Sequence, residues 1–97
     1  MKQIQPITIW INGEEKIAEY ISVTGVYDNN ASEAKEFWQL YTKIVDEQGV
    51  AETGEQIAQG NISIQGQDYI NWGDQPAMNV NAWIYDWVAQ QINATII

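Results

Sequence analysis

Apolar residues recur along this chain with two different periods, and the change from one to the other divides it. Over residues 79–92 they fall at Val80, Trp83, Ile84, Trp87, Val88 and Ile92, which is the spacing of one stripe on a helix of 3.6 residues per turn. Asn81, Asp86, Gln90 and Asn93 take the opposite side; Asn79 is the preferred N-cap, Asn81 the alternative, and the helix is expected to stop by Asn93. Trp83 and Trp87 on such a stripe need a partner surface and are expected in the core, and the alternating runs that precede them suit a sheet.

The alternation begins at Ile7-Thr8-Ile9-Trp10-Ile11, with the isoleucines on one face and Thr8 and Trp10 on the other. Asn12-Gly13 then predicts a type I′ hairpin, since both central positions of that turn need positive φ. A return strand from about Lys16 has apolar weight on both faces, Gly25 marks a bulge before Tyr27, and Asp28-Asn29-Asn30 reads as a turn. Residues 32–45 satisfy two readings. As a helix they align Ala34, Phe37, Trp38, Tyr41, Ile44 and Val45, with Asn30 as cap and Gly49 as terminator; as a strand they alternate Trp38, Leu40 and Ile44 against Gln39, Tyr41 and Lys43.

The next run decides in favour of a strand. Residues 58–65 alternate more cleanly than any others, and a strand needs a neighbour; Ala58 and Gly60 opposite Leu40 and Trp38 would set small residues against large ones. Residues 46–55 then become a connecting loop. Further on, residues 67–73 read as one helical turn closed by glycine with Tyr69 and Trp72 on one side, and residues 94–97 have strand composition suited to lying on the sheet. The expected fold is therefore α+β, a single domain over 1–97: an antiparallel four-stranded β-meander, with strands near 4–11, 16–27, 36–45 and 57–65, and a C-terminal amphipathic helix packed on one face.

Composition narrows the chemistry. The chain has no histidine, arginine or cysteine, only four lysines, and a formal charge of −9. Missing His and Cys remove the usual general base, the thiol nucleophile and the common zinc ligands, and no cofactor is expected. Without arginine and with strong net negative charge, direct nucleic-acid binding is not expected either. No run is long and apolar enough for a membrane span or a signal peptide, so a soluble protein is expected.

The order Trp38-Gln39-Leu40, Asp46 with Gly49, Ala58 with Gly60, Ile62 with Ile64, Gly66, Asp68-Tyr69, Trp72 and Trp87-Val88-Ala89 resembles small uncharacterised proteins of tailed bacteriophages, over residues 38–97. The resemblance implies a virion or assembly role, in the virion or the host cytoplasm. It carries over no catalytic residue.

Two constellations invite chemistry and both have a simpler reading. Asp28-Asn29-Asn30 with Ser32 and Glu33 gathers oxygen ligands but lacks the spacing of a calcium loop, and a turn bonded to its own backbone is the simpler reading. Glu14-Glu15, Asp46-Glu47 and Glu52 with Glu55 are expected in loops and turns, where solvent holds carboxylates near their usual behaviour. The aromatic content is the distinctive feature. Five tryptophans and five tyrosines, each able to bury about 150–250 Å², exceed what one small core hides, and Trp10, Tyr27, Tyr41 and Trp72 are the candidates for a contact surface. The leading expectation is a non-enzymatic structural or assembly protein of viral origin acting as a homo-oligomer, with other virion proteins as further partners. One alternative is a glycan-binding module stacking sugars on Trp72, Trp10 and Tyr27 with Asn71 and Asp74 as hydroxyl partners; another is an acidic decoy of nucleic-acid-binding proteins.

Overall fold

The computed structural model describes residues 1–29, 32–76 and 80–97. It contains four strands, β1 (Lys2–Ile11), β2 (Glu14–Asp28), β3 (Glu33–Val45) and β4 (Ala51–Gln65), followed by two helices, α1 (Gly66–Gly73) and α2 (Val80–Gln91). The strands form one sheet in the order β1-β2-β3-β4, every neighbouring pair antiparallel. Of residues 32–45, all from Glu33 onward are thus strand, with no helix in them. The Asn79 cap and the Asn30 cap lie outside the described residues.

Local chemistry explains the connections. Asn12 and Gly13 both have positive φ, 51° and 81°, as a I′ turn requires. Between β3 and β4 the reversal is shorter than the expected loop of residues 46–55. The Asp46 carboxylate accepts hydrogen bonds from the backbone N–H of Gln48 and Val50, and the Asp46 and Val50 backbones are also bonded to each other. With Gly49 at φ 82°, the turn closes within five residues and β4 starts at Ala51, so Glu52 and Glu55 stand on a strand rather than in a loop. The bulge expected at Gly25 is present as a register shift between Gly25 and Tyr27.

Large and small residues meet across β3 and β4 as their sizes demand: Trp38 pairs with Gly60 and Leu40 with Ala58. A Cβ at Gly60 would lie 2.7 Å from Trp38 Cζ2, closer than carbon atoms approach without displacement, so the indole occupies the space that glycine leaves.

Ile4, Ala18, Ile21, Ala34, Leu40, Ile57 and Ile64 of the strands form one buried cluster with Ile84, Val88 and Ala89 of α2 and with Ala94. Trp83 and Trp87 are half-buried at its margin, not inside it. The inward positions of α2 are Ile84 and Val88, and the tryptophans flank them by one residue, about 100° round the helix. After α2 the chain ends along β1: Gln5 N–H donates to Thr95 O, Ile97 N–H donates to Gln3 O, and Ile96 bridges Ile4. No helix among the described residues is long and apolar enough to cross a membrane.

Candidate interaction surface

Strand register assigns each aromatic residue to a face. The pairs Ile21–Leu40, Val23–Trp38 and Asp28–Ala34 lie on the side of the buried cluster. The alternate pairs, Tyr20–Tyr41, Ser22–Gln39, Thr24–Phe37 and Tyr27–Lys35, lie on the other side. Tyr20, Tyr27, Phe37 and Tyr41 therefore share the outer face of the two central strands. The bulge after Gly25 is what turns Tyr27 outward and Asp28 inward; without that extra residue their sides would be exchanged.

The four candidate residues are not brought together. Trp10 pairs with Glu15 and lies on the side of β1 opposite Ile7, Ile9 and Ile11, which pack against the core; it is 70% exposed at the hairpin end of the sheet. Tyr27 lies towards the other end, twelve residues along β2, a span of about 40 Å. Tyr41 stands between them, and Trp72 is on α1. Two outer-face residues that sequence reasoning passed over, Tyr20 and Phe37, complete the strip instead. Their signal was available in the alternation of β2 and β3, but only the register between those strands shows that they line up.

Polar side chains on this face are held in place. Tyr41 Oη donates to Gln39 Oε1 at 3.1 Å, Gln39 Nε2 donates to Gln56 Oε1 at 2.7 Å, and Gln56 Nε2 donates to Gln59 Oε1 at 2.8 Å. From the Tyr20–Tyr41 pair to the Tyr27–Lys35 pair the outer face of β2 and β3 carries no carboxylate, although the chain has thirteen acidic residues. Lys16 and Glu55 form an ion pair across β3, which raises the Lys16 pKa chiefly through that hydrogen bond.

No family model, curated protein or solved structure matches this chain. None of the five tryptophans, the five tyrosines or the phenylalanine is buried, so every aromatic ring in the molecule retains accessible surface.

A second feature lies at the α1 end. Asp28, Tyr69, Trp72 and Gly73 line an open recess of about 210 Å³. Tyr69 Oη donates to Asp28 Oδ1 at 2.6 Å, which raises the Tyr69 pKa, and the Tyr69 and Trp72 rings meet edge to face with centroids 6.1 Å apart. The Trp72 indole N–H is buried without an acceptor. Nearby, Glu36 is the single buried charged side chain among the described residues, 3% exposed. Burial pushes its carboxyl above the usual glutamate range, and the Asp28 carboxylate adds to the effect. Glu36 follows from the inward parity of Ala34 and Trp38, which lie two residues to either side of it on β3.

The oxygen-rich turn at residues 28–33 takes its simpler reading where it is described. Asn29 Oδ1 accepts from the backbone N–H of Ser32 at 2.8 Å and of Glu33 at 3.1 Å. Its Asn30 member lies outside the described residues. Among the described residues no group of three or more acidic side chains is arranged to hold a metal ion.

Proposed function

We propose that this protein is a non-enzymatic assembly protein of viral kind, which self-associates through the outer face of its central strands while α2 lies as an amphipathic cover across the other face. The observation that carries the reading is the register: Tyr20, Tyr27, Phe37 and Tyr41 fall on one side of β2 and β3, opposite Ile21 and Leu40. An antiparallel sheet with one solvated face normally alternates apolar with polar residues. Here aromatic rings take outward positions, Tyr27 exposed and Tyr20, Phe37 and Tyr41 half-buried, and exposed aromatic surface marks contact sites. The lack of carboxylates in that strip matters as much, because two copies of a chain with charge −9 repel wherever acids face each other. The phage resemblance over residues 38–97 supports an assembly role. An interface of standard size takes about 800 Å² from each partner, a modest share of the 6113 Å² this chain exposes.

Sedimentation velocity over the micromolar range tests the reading. A concentration-dependent oligomer is expected, weakened by Tyr27→Ser with Phe37→Ser. A strict monomer at every concentration overturns it.

A further inference from the structure

The two edges of the sheet differ in how they are protected. Along β1 the outer edge is occupied at residues 3–5 by the chain's own C-terminal residues, is interrupted by Pro6, and shifts register between Gln3 and Ile7. Only residues 7–11 stay open. Along β4 no strand among the described residues adds to the outer edge over its fifteen residues. Its first half is guarded, because Glu52 and Glu55 lie there and the pairing with β3 shifts register around Tyr41. Its second half is not. Residues 58–65, Ala-Gln-Gly-Asn-Ile-Ser-Ile-Gln, pair with β3 in unbroken register from Leu40–Ala58 to Glu33–Gln65 and contain no charge and no proline. Helix α1, which follows directly, leads inward, since Tyr69 reaches Asp28 on β2. Exposed edges usually carry charges, prolines or bulges that prevent pairing; this half has none of them.

We infer that residues 58–65 of β4 pair antiparallel with the same residues of a second copy, joining two sheets into one of eight strands. The inference rests on the self-association reading and names one of its contacts. A second copy fits better than a foreign strand for three reasons. A two-fold axis generates antiparallel pairing of identical segments. Every register within this segment sets an uncharged residue against an uncharged one, so the repulsion built into a chain of charge −9 is avoided at the junction. When residues of equal parity are paired, Ile62 and Ile64 continue the inner apolar side across the junction, while Gln59, Asn61 and Ser63 meet amides and hydroxyls on the outer side. An uncharged segment, by contrast, offers nothing to select a charged partner strand.

The test is the dissociation constant of the full chain by sedimentation velocity, with circular dichroism confirming the fold. Asn61→Glu with Ser63→Glu is expected to weaken the dimer about tenfold or more by setting like charges across the junction. Thr8→Glu on β1 is expected to leave it unchanged. A folded Asn61→Glu/Ser63→Glu variant with the wild-type constant overturns the inference; if Tyr27→Ser/Phe37→Ser abolishes association meanwhile, the edge is excluded and the outer-face reading stands. A monomeric wild type overturns both. Hydrogen exchange of the wild type provides the measurement should the charged variant not fold: amides of residues 58–65 gain protection with rising concentration, and unchanged protection there overturns the inference.

Discussion

Glu36 shows how one side chain can link burial to pH. Its carboxyl holds its proton to higher pH in the folded protein than in the unfolded chain, first because it is desolvated and then because Asp28 is close. From the ordinary glutamate pKa upward the folded state thus binds more protons than the unfolded state, and this group's contribution to stability falls as pH rises through the folded pKa. Glu36→Gln removes the term. Urea denaturation across pH should find the variant more stable than wild type at pH 7, the difference shrinking as the pH drops below the usual glutamate range; a variant less stable at pH 7 would show that the carboxylate is favourably held. At Gly60 steric contact decides. A Cβ there displaces the Trp38 ring, so Gly60→Ala should cost about 1–3 kcal/mol, as overpacked core sites do. In a Trp38→Leu background the penalty should largely vanish, and a double-mutant cycle of unfolding free energies measures that coupling.

The C-terminus of α2 is fixed by one asparagine. Asn93 has φ 60°, its N–H donates to Gln90 O, and Ala94 N–H donates to Ala89 O at 2.8 Å, the paired bonds of a Schellman cap with Asn93 at the left-handed position. Ala94 and Ala89 are both buried, as expected of the apolar contact that accompanies such a cap. Asn93→Ala should lower stability by about 1 kcal/mol, the usual cost of a left-handed residue with an ordinary Cβ, while Asn93→Gly should leave it unchanged or raise it; thermal melts of the pair check the cap. Elements of this kind were legible because their signals are local. The Asn12-Gly13 hairpin, the Gly25 bulge and the end of α2 each depend on a few adjacent residues. The turn at residues 46–50 is shorter than the loop its composition suggests, because its closure depends on Asp46 bonding two particular backbone N–H groups, which composition does not reveal.

At the scale of the molecule, shape separates this protein from a compact globule. Its radius of gyration is 14.8 Å and its extents are 46 × 30 × 19 Å, against about 13 Å expected for a compact chain of this length. Among the described residues the elements besides the strands are two short helices, too small to cover both faces of so long a sheet, and four of the eleven buried core residues are alanines. Stability should therefore tolerate change on the outer face. Tyr27→Ser with Phe37→Ser is expected to weaken self-association while moving the unfolding free energy of the monomer by no more than about 1 kcal/mol; a variant that unfolds instead would make Phe37 a core residue and not a contact residue.

The four-stranded meander, the two helices, the size match of Trp38 with Gly60 and the excess of aromatic residues over core are legible in the order of residues alone. Each of these is set by periodicity, turn chemistry or volume, quantities that act over a few residues. Which aromatics share a surface depends instead on how the strands pair. A single bulge after Gly25 reverses the sides of Tyr27 and Asp28, and the β2–β3 register sets Tyr20 and Phe37 on the side of Tyr41. Strand pairing also brought Glu36 under cover beside Asp28 and left one half of β4 unguarded while the C-terminus closed the edge of β1. Those outcomes depend on registers between segments distant in sequence, where a shift of one residue exchanges the two faces.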